Sequence, residues 1–509
     1  MPLQFEFTRR DDWPPLAWIA ECVPNDPVIR VTHGSQVERE DHWYSEAIWD
    51  GEFADGDLDQ TDLVFGSGAR LRDRQVVFVS SGTTVDRLQS LQLDGRILIS
   101  NSLVCLLVSG GVKVDITHRE FPEFFRSIVR GIDGYERWLP TQSGRLELFY
   151  FRNLTWDGHH LAEVDKPNPT RDFSSFEKYY DFLNASMKKI AANVRAPERR
   201  HPYEMVGALS SGYDSPTTVW LAREAGMKRV FSFHAARGGM PDDGAELARR
   251  WGLDLTMIDR NEWRRHAYAE VPYFAATCFG VDVNLSSARE IVRGRVLVSG
   301  FYGDSIWART PEPVGPHFGR TAPAGLAFTE HRLQLGTIHF AVPYMGGRQI
   351  RDIWTLSNSA FMRPWDVPGE YSRPVCRRIV EESGIPRHLF GVEKKATVHL
   401  FHRGESVLTD NSRADYYRWL RINRQESTTL RQSIPKPPGH LLLAFSRLYR
   451  VFSRFLRAAS RYLPASLESR LAVWDDEIQT SLNKRINVLP YLFPWAVERM
   501  AAYYRSHTS

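Results

Sequence analysis

The sequence predicts an α/β protein in three parts: a strand-rich antiparallel amino-terminal part, a middle part built on a doubly wound parallel sheet, and a helical carboxyl-terminal tail. Three observations carry this prediction. Residues 1–165 alternate short β-like runs with Gly, Asp and Asn turns, as antiparallel sheets do. Residues 166–433 alternate buried strands with helices, a rhythm typical of parallel sheets. Residues 434–509 start with a Pro-rich break, IPKPPGH, and continue with helical periodicity.

Length and composition limit the class of protein. A chain of 509 residues can hold two or three domains with a large core. Lys plus Arg exceed Asp plus Glu by only 65 − 61 = 4, which does not indicate a nucleic-acid partner. The four cysteines are far apart, so we expect free thiols in a reducing compartment. They are Cys22, Cys105, Cys278 and Cys376.

The remaining compositional signals concern location. The start of the chain, MPLQFEFTRRDDW, is charged and has no apolar core, so we expect no signal peptide. No run of about 18 apolar residues occurs, so we expect no membrane-spanning helix. The sequence therefore predicts a cytoplasmic protein.

Residues 1–165 contain several short runs that read as strands. Gly, Asp and Asn turns separate them, and the pattern favours an antiparallel sheet. The clearest runs are QVVFVSS (75–81), GRILISN (95–101) and RLELFYFRNLTW (145–156).

The stretch VGALSSGYDSPTTVWLAREAG (206–226) organises the middle part. It predicts a strand ending at Leu209, a loop of small residues from Ser210 to Ser215, and a helix from about Pro216 to Ala225. Small residues and the free N–H groups of a helix start form an anion site. A carboxylate inside such a site requires a divalent cation between it and the anion, so Asp214 is a candidate magnesium ligand.

The segments around this loop complete the parallel sheet. KPNPTRDFS (166–174) reads as a linker, and a helix follows from about Phe173 to Val194. The next strand ends at Ser232 and Phe233, which with His234 could line an adenine pocket or be ordinary strand-end residues. VLVSGFYGDSIW (296–307) is a further apolar strand followed by a Gly-bearing turn.

The two loops carry a resemblance. S-S-G-Y-D-S resembles the S-G-G-x-D-S pyrophosphate loop of the N-type ATP pyrophosphatases, with Ser211 where the family has Gly. The turn at 299–305 resembles the S-G-[DE]-G-x-D-E turn of the asparagine synthetases, in which Asp304 matches the Asp that holds a second magnesium. Phe301 and Ser305 depart from that pattern. β-Lactam and carbapenam synthetases place a catalytic Tyr at the position of Phe301, one place before Tyr302.

The resemblance implies ATP and Mg²⁺ as ligands, and a site built from these two loops and one strand end. Asp214 and Asp304 are the implied metal ligands, and Tyr302 is a candidate catalytic residue. The candidate nucleotide-binding residues are Leu209, Ser210, Ser211, Gly212, Tyr213, Asp214, Ser215, Ser232, Phe233, Gly300 and Gly303.

A third stretch, 341–397, resembles the segment that closes the active site in the same family. AVPYMGGRQIRDIW is similar to the R-x-P-[FY]-L-D turn without its Arg, and YSRPVCRRIVEESGIPRHLFGVEKKAT is similar to the Lys-bearing loop. The resemblance implies that this Lys neutralises charge on the α-phosphate. Lys394 and Lys395 both match, Lys395 slightly better because it precedes Ala396 and Thr397. A solvated loop is the alternative.

The amino-terminal part resembles the glutaminase domain of asparagine synthetases. The similarity covers VDRLQSLQLDGRILISNSLVCLLVSGG, a following helix, and a hairpin that leads to the linker. That family uses a Cys directly after the initiator Met as nucleophile and base, whereas Pro2 follows Met1 here and Cys22 is internal. We therefore expect a glutaminase-like scaffold without glutaminase chemistry.

Together these resemblances imply an AMP-forming ligase that adenylates a small-molecule carboxylate and joins it to an amine or ammonia. Two alternatives remain open at this stage. One is another adenylating enzyme of the same loop family, acting in sulfur transfer or nucleoside modification. The other is a catalytically inactive ATP-binding scaffold, as Ser211, Phe301 and Ser305 suggest.

The tail contains a candidate interaction helix at 440–463. Its arginines recur every three or four residues beside an apolar flank, a pattern that fits an anionic membrane surface or a protein partner. A helix docked on the body with its arginines in water is the alternative. The arginines are Arg447, Arg450, Arg454, Arg457 and Arg461. The last helices carry aromatic residues that we expect in the core.

Overall fold

A computed structural model gives the fold. It describes residues 2–236, 239–309, 315–320, 323–369, 371–395, 408–426 and 489–505, together with scattered residues between 442 and 478. The predicted order, an antiparallel strand-rich part followed by a parallel sheet with helices, is confirmed in outline.

Two sheets make up the amino-terminal part. The first has seven strands in the order β1-β3-β2-β9-β8-β11-β10, antiparallel throughout except for the parallel pair β1–β3. The second has six antiparallel strands in the order β13-β12-β7-β6-β5-β4. The strands are β1 (Gln4–Arg9), β2 (Trp18–Cys22), β3 (Val28–His33), β4 (Glu38–Glu40), β5 (Trp43–Trp49), β6 (Val64–Arg72), β7 (Gln75–Val79), β8 (Leu88–Leu93), β9 (Arg96–Ser100), β10 (Trp138–Leu139), β11 (Arg145–Phe149), β12 (Asn153–Trp156) and β13 (Leu161–Val164).

A shared apolar core joins residues of the two sheets. Trp18 of β2, Tyr44 of β5 and Phe78 of β7 are fully buried in one cluster. The run predicted at 145–156 is two strands, because β11 belongs to the first sheet and β12 to the second. Phe151 lies between them with φ +66°, a conformation that redirects the chain.

The middle part contains the predicted parallel sheet. Its five strands lie in the order β16-β15-β14-β17-β18, all parallel, with β14 at the centre. Apolar clusters cover both faces of this sheet, as the unbroken apolar runs of its strands require. The strands are β14 (Glu204–Ala208), β15 (Arg229–Phe233), β16 (Asp254–Ile258), β17 (Arg295–Ser299) and β18 (Ile338–Ala341).

Helices pack around both parts. Those of the amino-terminal and middle parts up to the last strand are α1 (Leu103–Gly110), α2 (Phe121–Arg126), α3 (Phe176–Val194), α4 (Asp214–Glu224), α5 (Ala245–Trp251), α6 (Val271–Ala276), α7 (Arg289–Val292), α8 (Gly303–Ile306) and α9 (Thr329–Leu335). Those that follow are α10 (Ile350–Ser357), α11 (Pro374–Glu382), α12 (Asp410–Glu426) and the carboxyl-terminal helix Leu492–Met500. Helix α3 begins three residues later than predicted, because Ser175 caps it by accepting from the N–H of Lys178.

The carboxyl-terminal helix packs on the body, as its aromatic residues predict. Phe493 lies against Phe121 and Phe125 of the amino-terminal part, and Trp495 donates a hydrogen bond to Asp415 of α12. The predicted break at 434–440 and the five arginines of the 440–463 stripe lie outside the described residues. Among the residues that are described, no helix is both long and apolar enough to cross a membrane.

Candidate active site

A cleft of about 480 Å³ opens at the carboxyl ends of β14, β15 and β17. Strand order explains its position: the chain runs outward from β14 to β15 and β16, then returns to the other side of β14 with β17. The connections on either side of this switch point diverge, which leaves a crevice where ligands bind in open parallel sheets. Both loops singled out by the sequence line this cleft.

The loop from Ser210 to Ser215 connects β14 to α4. Ser215 Oγ accepts a hydrogen bond from the Ser210 N–H at 2.9 Å and lies 2.8 Å from Ser210 Oγ. The Gly212 N–H is 3.3 Å from Ser210 Oγ. Helix α4 begins at Asp214, two residues earlier than the predicted Pro216, so Asp214 itself belongs to the first helical turn.

Asp214 lies directly against the turn after β17. A methyl group at Gly303 would sit 2.6 Å from Cγ of Asp214, and one at Gly300 would sit 2.7 Å from its Cβ. Only glycine therefore fits at these two positions, which lets the two loops meet. Burial raises the pKa of Asp214, and the negative charge of Asp304 raises it further. The structure thus brings the two predicted acids together in one cleft.

An arginine that the sequence analysis did not single out pairs with this acid. Arg373 donates a hydrogen bond to Asp214, and its positive charge counters the rise in the pKa of Asp214. Its side chain is only 6% exposed, and it also lies over the rings of Tyr213 and Tyr371. Asp214 therefore lies between the cation Arg373 and the neighbouring anion Asp304.

A second acid, also not predicted, accepts a hydrogen bond from one backbone N–H of the loop. Asp242 is buried and accepts hydrogen bonds from the N–H of Ser211 at 3.1 Å and from Ser211 Oγ at 2.8 Å. Ser211 thus holds a carboxylate through its side chain. Burial raises the pKa of Asp242, and Ser211 counters that rise.

The two candidate lysines line the cleft but act on different partners. Lys394 exerts its positive charge on Asp214. Lys395 donates a hydrogen bond to the Pro241 carbonyl at 2.6 Å and exerts its charge on Asp242. Just before them, the N–H of Gly391 donates to the Ser211 carbonyl at 2.8 Å, which anchors this segment on the loop.

The hydroxyl of Tyr302 is hydrogen-bonded rather than free in the cleft. Its φ is +76°, and its hydroxyl donates to the Gly319 carbonyl at 2.8 Å. Its ring stacks on Tyr344, with centroids 4.8 Å apart. Burial raises the pKa of Tyr302 far above its ordinary value, so the hydroxyl stays protonated. The ring lines the cleft as a wall.

The predicted adenine residues divide between two faces of β15. Phe233 lines the cleft together with Leu209. Ser232 is buried, and its Oγ accepts a hydrogen bond from the Gly244 N–H at 3.0 Å, which fixes the start of α5. His234 is exposed. The structure therefore brings Phe233 to the cleft and commits Ser232 to a local contact.

The cleft also contains polar groups that sequence reasoning missed. Ser299 Oγ, at the end of β17, lies 2.7 Å from Nε2 of His339 on β18. Burial lowers the pKa of His339 to about 4, so the imidazole is neutral at pH 7. Asn284 lines the cleft from a neighbouring 3-10 helix. No motif marks these positions.

Comparisons with known proteins do not assign this site. No protein-family model matches the sequence, and a search of curated proteins finds no significant match. The described residues contain no group of three or more His, Cys, Asp or Glu side chains that could hold a metal ion. The cleft as built offers two neighbouring carboxylates, several cations and a small-residue loop, which suits a polyphosphate and a cation bound together.

Proposed function

We propose that this protein is an AMP-forming ligase of the asparagine synthetase and β-lactam synthetase type, with ATP, a carboxylate and an amine or ammonia as substrates. One observation carries the proposal: Asp214 and Asp304 follow two adjacent parallel strands and meet in one cleft beside a small-residue loop. Carboxylates placed next to an anion-binding loop are expected when a cation and a phosphate chain bind together.

The residues present fit magnesium. Mg²⁺ in phosphate-transfer sites uses one or two carboxylates and takes its other ligands from phosphates and water. Asp214 and Asp304 would hold it, and it would supply charge neutralisation to the phosphates. The raised pKa of Asp214, caused by burial and by Asp304, supports this fit, because two acids that repel one another gain from a shared cation.

The chemical steps follow from charge. A carboxylate oxygen attacks the α-phosphorus of ATP, the bond to the bridging oxygen breaks, and pyrophosphate leaves into the loop of Ser210 to Ser215. The amine nitrogen then attacks the acyl carbon, AMP leaves with the electron pair of the broken bond, and the amine proton passes to solvent. Arg373 and Lys394 lower the barrier of the first step by neutralising the charge that develops on the phosphates.

Lys394 is the better candidate of the two lysines for this role. Its charge acts on Asp214 at the centre of the cleft, whereas Lys395 is hydrogen-bonded to a backbone carbonyl beside Asp242. Tyr302 serves as a wall rather than as a proton acceptor, because its hydroxyl is already bound to Gly319.

The amino-terminal part holds in place one residue that lines the same cleft. Arg320, which lines the cleft, donates a hydrogen bond to Oγ1 of Thr84 at 2.8 Å. Cys22 is buried on β2, and burial raises the pKa of its thiol, so it is a poor nucleophile. These contacts support a glutaminase-like scaffold that shapes the substrate site without glutaminase chemistry of its own.

Sulfur transfer is the weaker alternative. Cys376 is the cysteine whose thiol is electrostatically coupled to Asp214, but it is fully buried, and burial raises its pKa. A thiol in this state does not attack or carry sulfur readily. The other alternative is a catalytically inactive ATP-binding scaffold. ATP–pyrophosphate exchange distinguishes it from a ligase.

The test is ATP–pyrophosphate exchange with purified full-length protein, Mg²⁺ and a panel of carboxylates. We expect exchange that requires both Mg²⁺ and one class of carboxylate. Lys394→Ala should reduce it about a hundredfold, in line with the loss of one group that stabilises transition-state charge. Lys395→Ala is the matched control and should reduce it less. Binding of ATP with no exchange for any carboxylate would instead identify a scaffold.

A further inference from the structure

The carboxyl-terminal tail carries an apolar surface that is open to solvent. The described residues between 442 and 456 are helical. Within eleven positions of this helix, five large apolar side chains are each more than half exposed. Spacings of three and four residues place them on one side of the helix. These five residues, here called the apolar face, are Phe445, Leu448, Val451, Phe452 and Phe455.

Another side of the same helix is fixed by hydrogen bonds. Tyr449 and Ser453, one turn apart, donate to the two carboxylate oxygens of Asp475 at 3.2 and 2.8 Å. All three residues are buried. The ring of Tyr449 also packs against those of Phe445 and Phe452, with centroids 6.3 and 6.0 Å apart. These contacts set the rotation of the helix about its axis, and in that rotation the apolar face stays exposed.

The chemistry of the apolar face favours a lipid over a protein as its partner. None of its five residues has a polar side chain, whereas specific protein interfaces contain about one hydrogen bond per 100–200 Å². A helix docked on the body of the protein would instead cover its apolar side. The boundary between headgroups and acyl chains in a bilayer accepts such a face without hydrogen bonds.

The charge of the surrounding sequence indicates the type of membrane. Residues 427–467 contain seven Lys or Arg and no Asp or Glu. The whole chain has a net charge of +4, so the rest of it has a net charge of 4 − 7 = −3. Net positive charge is therefore concentrated in the segment that carries the apolar face. A positive segment of this kind is complementary to anionic lipid headgroups.

Sequence spacing also predicts where the arginines lie relative to the apolar face. Two positions along a helix correspond to a rotation of about 200°. Because four arginines each follow a residue of the apolar face by two positions, the sequence predicts an arginine stripe on the opposite side. Helices that lie in a bilayer surface have this division into an apolar and a basic side. The four are Arg447, Arg450, Arg454 and Arg457.

We propose that the tail attaches this protein peripherally to membranes. The apolar face enters a bilayer that contains anionic phospholipid, and the arginines of the tail pair with lipid phosphates. This attachment does not depend on the proposed ligase activity, so a failed exchange assay leaves it standing and the reverse also holds.

The first test is co-sedimentation of the full-length protein with vesicles of phosphatidylcholine, alone or mixed with an equal part of phosphatidylglycerol. We expect binding to the mixed vesicles to be at least about tenfold tighter, and to weaken at high salt. Phe452→Ser combined with Phe455→Ser should weaken this binding at least about tenfold, because less apolar surface leaves water. Phe361→Ser is the matched control. Phe361 is 85% exposed in a different region, and its change should leave binding the same.

A second pair of variants tests the charge. Arg450→Gln combined with Arg454→Gln should weaken binding to the mixed vesicles about thirtyfold and leave the weak binding to phosphatidylcholine unchanged. Arg249→Gln combined with Arg265→Gln removes the same charge from side chains that are 68% and 74% exposed elsewhere. This control should change binding by less than about threefold, because its arginines do not approach the bilayer. Equal losses in the two double variants would overturn the arginine contact.

A fluorescent label tests insertion directly. The four native cysteines are buried, so Val451→Cys provides an accessible thiol for a polarity-sensitive dye. We expect a blue shift of the emission when mixed vesicles are added, and no shift for the same label on Phe361→Cys. No shift at position 451 would overturn the inference.

Two further outcomes would also overturn it. One is a wild-type protein that does not bind the mixed vesicles, or that binds them no better than the Phe452→Ser and Phe455→Ser double variant. The other is a dimer, measured by light scattering without vesicles, that the same double variant abolishes. That result would assign the apolar face to a second copy of the chain.

Discussion

Two clusters of one arginine and two acids lie in different regions of this protein, and only one of them faces a cleft. In the first, Arg332 of α9 contacts Glu46 of β5 at 2.7 Å and Asp86, just before β8, at 2.9 Å. All three side chains are 5% exposed or less. In the second, Arg373 contacts Asp214, and Asp304 lies nearby with an exposed side chain.

The difference lies in what remains available to a ligand. Arg332 joins the amino-terminal sheets to the parallel sheet, and both oxygens of Glu46 accept its hydrogen bonds. In the cleft cluster Arg373 pairs with Asp214, Asp304 is exposed, and both acids border about 480 Å³ of open space. Buried charge alone therefore does not mark a functional site, whereas incompletely neutralised acids beside a cavity do.

The largest effect should come from breaking the fully buried cluster of Arg332, Glu46 and Asp86, here called the closed cluster. Arg332→Met leaves two buried carboxylates without their cation, and we expect a loss of about 3–5 kcal/mol in the free energy of unfolding, measured by urea denaturation. Arg30→Met is the control, since Arg30 is half exposed and pairs with Asp26 at the surface. Arg30→Met should change the free energy of unfolding by no more than about 1 kcal/mol. Equal losses in the two variants would remove the distinction between closed and exposed pairs.

The sequence was sufficient to predict the acids of the cleft but not their arginine. Asp214 and Asp304 each follow an apolar strand and a small-residue turn, so local pattern places both at one edge of a parallel sheet. Arg373 lies 159 positions from its partner, and the resemblance of its segment to the Lys-bearing loop gives it no role. Long-range pairs of this kind depend on how separate elements pack, which no local pattern encodes.

Two other differences have specific physical causes. Ser232 and Phe233 are consecutive strand residues, and successive side chains of a strand point to opposite faces, so they could not both line one pocket. This alternation was readable from the sequence. The division of 145–156 into two strands was not, because it depends on a positive φ at Phe151, a residue type that rarely adopts it.

An intermediate effect should come from the cleft cluster of Arg373, Asp214 and Asp304. Asp304→Asn should reduce ATP–pyrophosphate exchange at least about a hundredfold, or ~2.7 kcal/mol in activation free energy. The free energy of unfolding should stay the same or rise, because the change removes the repulsion that Asp304 exerts on Asp214. Loss of stability together with activity would show that the cleft cluster, like the closed one, serves the fold.

The effect that is smallest over a single pH unit concerns the region around the closed cluster. Glu330 lies on α9, the helix of Arg332, and accepts hydrogen bonds from Ser102 Oγ at 2.9 Å and from the Leu103 N–H at 3.0 Å. Burial raises the pKa of Glu330 from its ordinary value of 4.5 to about 7. Between these values the folded state keeps a proton that the unfolded state has lost. The stabilisation from this group is therefore complete below pH 4.5 and is lost as pH rises towards 7.

The glutamine introduced by Glu330→Gln cannot ionise. Comparing this variant with the wild type therefore isolates the contribution of Glu330 to the free energy of unfolding. The difference in unfolding free energy between wild type and Glu330→Gln should fall by up to about 1.4 kcal/mol per pH unit across that window and then level off above pH 7. Urea denaturation at pH 5, 6, 7 and 8 measures it, and Glu40→Gln, an exposed glutamate, should give a flat difference. Parallel curves for wild type and Glu330→Gln would mean that Glu330 is already ionised in the fold. The region around the closed cluster would then tolerate an unpaired buried charge. Full burial could then no longer explain why the closed cluster differs from the cleft cluster.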